Sequence, residues 1–183
     1  MKYSYLLVLF ASFALMGCKT TTINTEAPFD KTSQNGLVVL SLTQEEPLMY
    51  TSGLVMYKGL SRPYLESGKS FRADFIDTTL MKSNPIENYF GSVFGELIVA
   101  ELPADTYEIR RVRYYINALE RDFIYRDNLP TFEVKAGEIT YLGEYGVKGI
   151  TPTAMPAMKI IKQNSKKRDF EVLRKKYPNI KGF

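Results

Sequence analysis

The sequence predicts a mainly β protein, an antiparallel two-sheet sandwich followed by one C-terminal amphipathic helix. Three observations carry this reading. Apolar residues recur with a period of two over most of the chain beyond residue 35. Turns centred on proline and glycine separate the runs. Only the last stretch, about 166–177, changes to a spacing of three and four. Seven or so strands with one terminal helix fit two packed antiparallel layers.

The elements follow in order. Val38, Leu40 and Leu42 alternate in the first run, and Phe71, Ala73 and Phe75 alternate against Arg72 and Asp74; both read as half-buried strands. Gly95 to Leu102 is nearly continuous in Leu97, Ile98, Val99 and Ala100, the mark of a strand inside a sheet with both faces covered. It ends at Pro103. Leu102-Pro103-Ala104-Asp105 predicts a hairpin turn, because the fixed φ of proline suits the second turn position and Asp105 tolerates a left-handed backbone. The next run carries Tyr107 and Ile109 on one parity but Val112, Tyr114 and Ile116 on the other. A β-bulge across Arg110-Arg111 accounts for the change.

Phe132 and Val134 alternate with Glu133 and Lys135, Ala136-Gly137 makes a tight turn, and Ile139, Tyr141, Tyr145 and Val147 form a return strand. This predicts a second hairpin. Asp77 to Asn88, Ala118 to Pro130 and Lys148 to Pro156 are long polar or mixed connections. Phe170, Leu173 and Tyr177, set among Lys166, Lys167, Arg168, Arg174, Lys175 and Lys176, predict the helix, and Pro178 stops it.

The N-terminus has a different organisation. Lys2 and the free amino group are followed by an apolar run from Leu6 to Leu15, then Met16-Gly17-Cys18. Ten apolar residues are too few to span a bilayer core, which needs about 20. The order of charge, apolar run and small residue is that of an export signal. Leu15-Met16-Gly17-Cys18 resembles the lipobox family of bacterial lipoprotein signals, with Met16 where those signals more often carry Ala, Ser or Thr. The resemblance implies cleavage after residue 17 and acyl chains of the palmitate kind on Cys18, the single cysteine of the chain. It also implies an envelope location, and Lys19 in place of the Asp that retains such proteins in the inner membrane points to the outer membrane. The other reading of Cys18 is an ordinary cysteine near the end of a leader.

Residues 18–35 read as lipid anchor and flexible tether, rich in Thr, Asn, Ser and Gln with Pro28 among them. A first edge strand tied to the sheet is the alternative. Residues 36–183 are the length of one domain. The formal charge of +4 falls by one once Lys2 is removed, too modest and mixed to demand a polyanion.

Leu102-Pro103-Ala104-Asp105-Thr106-Tyr107-Glu108-Ile109 and Phe132-Glu133-Val134-Lys135-Ala136-Gly137-Glu138-Ile139-Thr140-Tyr141-Leu142-Gly143 resemble the strand pairs of small prealbumin-like sandwich domains in uncharacterised bacterial lipoproteins. There the first motif usually reads Leu-Pro-Ala-Gly-x-Tyr, and Asp105 departs from it. The resemblance implies a sandwich of prealbumin or immunoglobulin kind and no active-site residues.

The chain has no histidine, which excludes Ser-His-Asp and Cys-His catalysis and histidine-rich zinc sites. No catalytic, cofactor-binding or metal residue is assigned, and no cofactor is expected. Carboxylate pairs remain as candidates for glycan hydrolysis: Asp74 with Asp77, Glu96 with Glu101, and Glu138 with Glu144. Ser165-Lys166 and Lys82-Ser83 carry no motif. Arg110-Arg111-Val112-Arg113-Tyr114-Tyr115 mixes guanidinium groups with aromatic faces, so Arg110, Arg111, Arg113 and Tyr115 form the candidate binding surface, for an anionic glycan or an envelope protein rather than nucleic acid. A solvated outer strand face explains the same run. The lysine-rich helix can lie on anionic headgroups or simply face water. Tyr50, Tyr57, Tyr64, Tyr89 and Tyr125 fall in predicted loops and offer a contact surface. The expected function is a non-enzymatic binding or assembly module held at the membrane by lipid on Cys18, with a carboxylate-dependent envelope glycan hydrolase as the alternative.

Overall fold

The computed structural model describes residues 29–45, 50–61, 70–76, 89–90, 93–116, 121–126, 128–148 and 159–181. The predicted leader, Cys18, the first part of the tether, Asp77–Asn88 and most of Lys148–Pro156 lie outside the described residues.

Ten strand segments and one helix are present among the described residues: β1 (Asn35–Gln44), β2 (Tyr50–Gly59), β3 (Ser70–Ile76), β4 (Tyr89–Phe90), β5 (Val93–Pro103), β6 (Asp105–Ile116), β7 (Arg121–Tyr125), β8 (Thr131–Val134), β9 (Ile139–Lys148), β10 (Lys159–Gln163) and α1 (Lys166–Lys176). Sheet 1 has the order β10-β9-β1-β5-β4 and sheet 2 the order β3-β2-β6-β7, with β8 also paired to β6. Every strand pair is antiparallel except β1 with β9. The predicted two-sheet β-sandwich with a C-terminal helix is the architecture found.

The two sheets enclose the main core. Val38, Leu40 and Leu42 of β1, Ala100 and Leu102 of β5, and Tyr145 and Val147 of β9 meet Val55 and Tyr57 of β2 and Tyr107, Ile109, Val112 and Tyr114 of β6. The other face of sheet 1 is covered too. Leu37, Val39, Leu97 and Val99 bury against Phe170 and Leu173 of α1 together with Phe29 and Ile180. The β1 strand is therefore apolar on both faces and buried along nearly its whole length, where alternation alone predicts a half-buried strand. Leu37 and Val39, on the opposite parity to Val38, Leu40 and Leu42, carried that signal. For β5 the expectation of two covered faces holds, with β1 and β4 as its neighbours.

Both predicted hairpins are corrected. Leu102–Asp105 does turn the chain, but β5 belongs to sheet 1 and β6 to sheet 2. Ala136-Gly137 likewise carries the chain from β8 in sheet 2 to β9 in sheet 1, with Gly137 at φ 70. These are arches between sheets. A hairpin turns its two alternating strands toward one side of one sheet, and an arch turns them toward each other across the core. The apolar pattern is the same in either case, so turn chemistry and period cannot distinguish them. At the first arch Tyr107 Oη donates to Pro103 O at 2.9 Å, and Ser61 Oγ donates to Asp105 Oδ1 at 2.5 Å.

The domain begins earlier than residue 36. Phe29 is buried under α1 and forms a parallel bridge with Ile180, so residues 29–35, read as the end of the tether, are tied to the fold. Asp30 closes the next turn by accepting from Thr32 N at 2.8 Å and Thr32 Oγ1 at 2.6 Å.

Two bulges set which side chains face outward. On β6, Met56 pairs Arg111 while Tyr57 pairs Ile109, leaving Arg110 as the extra residue where the sequence predicts it. On β9, Val39 pairs Tyr141 while Leu40 pairs Gly143, so Leu142 is extra, and Gly143 takes φ 97.

Candidate functional site

The β6 bulge builds the predicted surface. Ile109 and Val112 both face the core, so the two residues between them both face out. Glu108, Arg110, Arg111, Arg113 and Tyr115 thereby line the outer side of sheet 2. Arg113 makes a two-pronged bond with Asp122 of β7, Nε to Oδ1 at 2.7 Å and Nη2 to Oδ2 at 2.8 Å. The pair raises the guanidinium pKa through the Asp122 hydrogen bond. Arg110 pairs with Glu108 at 3.0 Å. Among the described residues Arg111 has no ion-pair partner. Arg72 of β3 joins Arg113, Tyr115, Ser52 and Leu54 around a shallow depression of about 350 Å³. Arg110 and Arg111 stand outside that depression. Ile124 on β7 leaves 42% of its surface exposed on the same sheet. The outcome is an open platform on which Arg72 and Arg113, the latter held by Asp122, stand beside the Tyr115 ring.

The expected tyrosine surface is corrected. Tyr57 lies in β2 and is buried, stacked on Phe71 at 4.3 Å between ring centroids. Tyr125 lies in β7 and packs against the main core. Tyr50 and Tyr89 are strand residues, and Tyr64 is outside the described residues. These segments hold few aliphatic residues, so their period was hard to read.

A second constellation was missed altogether. Beneath the N-terminal turn of α1, Asp169 is fully buried and accepts from Ser41 Oγ at 2.7 Å, Tyr141 Oη at 2.7 Å and Arg168 Nε at 2.9 Å. Arg168 Nη2 also reaches Glu144 Oε2 at 3.0 Å and donates to Ser41 Oγ at 3.1 Å. Glu144, itself buried, accepts from Thr43 Oγ1 at 2.5 Å and from Ser165 Oγ. Ser165 N donates to Tyr141 Oη at 3.2 Å. The network joins β1, β9 and α1. Its geometry depends on the β9 bulge: Tyr141 and Glu144, three residues apart, would face opposite sides of a regular strand. The extra residue at Leu142 brings them to one side and turns Tyr145 into the main core. Isolated Gly143 within a strand pattern was the available signal.

Burial pushes the Tyr141 hydroxyl pKa up, and its bond to Asp169 adds to that. Burial also pushes the Glu144 carboxyl up, but bonds from Ser165, Thr43 and Gln163, with Arg168 nearby, outweigh it and hold the group below its ordinary value. The stability Glu144 contributes is therefore complete above the unfolded carboxylate range near pH 4 and is lost as pH falls through the lower folded value. Glu144→Gln should flatten that part of the acid limb, measured as urea midpoint from about pH 5 to pH 3. An unchanged limb would contradict the assignment.

A buried tyrosine also links the sheets. Tyr114 Oη donates to Tyr145 O at 2.5 Å and accepts from Thr43 N at 3.1 Å.

The candidate carboxylate pairs do not converge. Glu96 and Glu101 are five residues apart on β5, an odd spacing that puts them on opposite faces. Glu138 is exposed at the arch while Glu144 is committed to the buried network. Asp77 and the Asp74 side chain lie outside the described residues. Ser165 is bonded to Glu144, and Lys166 Nζ sits over the Phe170 ring at 5.3 Å rather than on Ser165. Among the described residues no group of three or more acidic, cysteine or histidine side chains is placed to hold a metal ion.

No protein-family model and no curated protein matches this chain. Two solved structures resemble it. One is a leucine-rich repeat protein from Bacteroides thetaiotaomicron, at 13% identity and TM-score 0.34, covering 63% of this chain and 14% of that one. The other is a proposed cell adhesion protein from Bacteroides ovatus, at 13% identity and TM-score 0.35, covering 72% of this chain and 44% of that one. The chain thus spans less than half the length of either.

Proposed function

We infer that the protein is a non-enzymatic binding module of the bacterial envelope, held to the outer membrane by acyl chains on Cys18, with the outer side of sheet 2 as its ligand face. The ligand class is an anionic glycan. The observation that carries this reading is the gathering of Arg72, Arg113 and Tyr115 around one open depression, with Arg111 on the same strand face. Guanidinium groups match carboxylate or phosphate oxygens in the plane, and a tyrosine ring offers a sugar its flat side. Neither described candidate pair, Glu96 with Glu101 or Glu138 with Glu144, converges on a shared cleft, and this favours binding over hydrolysis.

Titration with soluble peptidoglycan fragments tests the ligand face. Arg111→Ala/Arg113→Ala should weaken binding at least about tenfold with the fold intact, because each charge-assisted bond is worth about 1.5–3 kcal/mol. Binding that survives the double substitution would sink the site. Mass spectrometry of the mature N-terminal peptide tests the anchor, with acylated Cys18 expected and a bare thiol counting against it.

A further inference from the structure

We propose that the outer side of α1, with the two chain segments flanking it, is the surface by which the protein rests on anionic lipid headgroups. The proposal rests on the reading of Cys18 as the anchor. Phe29 is buried under α1, bridged to Ile180, and its carbonyl accepts from Lys181 N at 3.0 Å. A chain running back to Cys18 therefore leaves the domain on the helix side of sheet 1.

Reach favours this side. Phe29 lies eleven positions beyond Cys18, a contour of at most about 36–40 Å. The outer side of sheet 2 lies two layers further on, at roughly 10 Å per layer. To lay that side flat on the membrane the chain would have to pass around the edge of sheet 1 and use most of its contour. The helix side is within reach at any extension, and choosing it leaves the ligand face turned outward.

Charge points the same way. Lys166, Lys167, Arg174, Lys175 and Lys176 of α1 are exposed, and Lys31 and Lys181 extend the patch on the flanking segments. Arg168 is turned inward to Asp169 and Glu144. Within residues 29–34 and 165–181 the acidic residues are Asp30, Glu171 and the buried Asp169. Lysines near an anionic bilayer each add attraction that fades within about 10 Å at ordinary salt. Cationic side chains spread over the exposed surface of a helix whose apolar side is taken by the core can bind a surface without inserting.

The test uses the unlipidated Cys18→Ser protein and co-sedimentation with two kinds of vesicle, phosphatidylcholine alone and phosphatidylcholine mixed equally with phosphatidylglycerol. Binding to the anionic vesicles should be at least about tenfold stronger. Lys166→Gln/Lys167→Gln/Lys175→Gln/Lys176→Gln should remove most of that preference, while Arg111→Ala/Arg113→Ala leaves it within about twofold. Should the fourfold variant fail to fold by circular dichroism, Lys31→Gln/Lys181→Gln, off the helix, must lower the preference by about threefold. Equal binding to both vesicles, or loss on removing the arginines but not the lysines, overturns the proposal. A bare thiol at Cys18 in cells together with retained vesicle preference would refute the anchor and leave this surface standing.

Discussion

Asp169→Ala is expected to destabilise the domain by about 3 kcal/mol, near the lower end for breaking a buried ion pair. The carboxylate takes bonds from Ser41, Tyr141 and Arg168 with no exposure of its own. Its removal strands the buried Ser41 hydroxyl and the half-buried Tyr141 hydroxyl, and each unsatisfied buried group costs about 1–3 kcal/mol. The loss is moderated at Arg168, whose side chain is 28% exposed and keeps Glu144 as a partner. Asp169→Asn should fall between, at about 2 kcal/mol, because one amide oxygen can still accept. Denaturant unfolding measures both, and the alanine variant should melt roughly 10 °C lower. A change under about 1 kcal/mol would place this network with ordinary surface pairs.

Gly143→Val should be nearly as damaging, at about 2–4 kcal/mol. Gly143 sits at φ 97, and a β-carbon there would come within 3.1 Å of Gln163 O on the neighbouring strand. A branched side chain is strained at that φ. To relieve the strain, the bulge must shift and take Tyr141 or Glu144 off the helix side. The substitution should therefore lower stability and also change the near-ultraviolet tyrosine signal, in a chain that has no tryptophan to obscure it. Unfolding at the wild-type midpoint would show that the bulge tolerates a side chain.

A two-residue period made β1, β3, β6, β8 and β9 legible, a nearly continuous apolar run marked β5, and the three-four spacing bounded α1 to within a residue of Lys166–Lys176. The β6 bulge was legible because Ile109 and Val112 are unmistakably apolar and differ in parity. The β9 bulge was not, because Tyr141 and Tyr145 share a parity and tyrosine is at home on either side of a sheet. Sheet membership escaped as well, since alternation carries no record of which strand lies alongside. Within the candidate ligand face, Arg110, Arg111, Arg113 and Tyr115 stood together in the chain. Arg72 had to be brought from another strand by pairing of β2 with β3 and β6. Glu144 stood in the sequence only as half of a candidate carboxylate pair, and nothing singled out Asp169, which is set among basic residues where an acidic side chain is usually solvated.

The first strand has a consequence for how the chain is made. Leu37 pairs Glu101 on one side and Ile139 on the other, so Leu37-Val38-Val39-Leu40 leaves the ribosome long before either neighbour exists. An apolar, β-branched segment without its mates is a seed for aggregation. Its two-sided burial thus predicts slow, late-closing folding and a dependence on holding chaperones until the last third of the chain arrives.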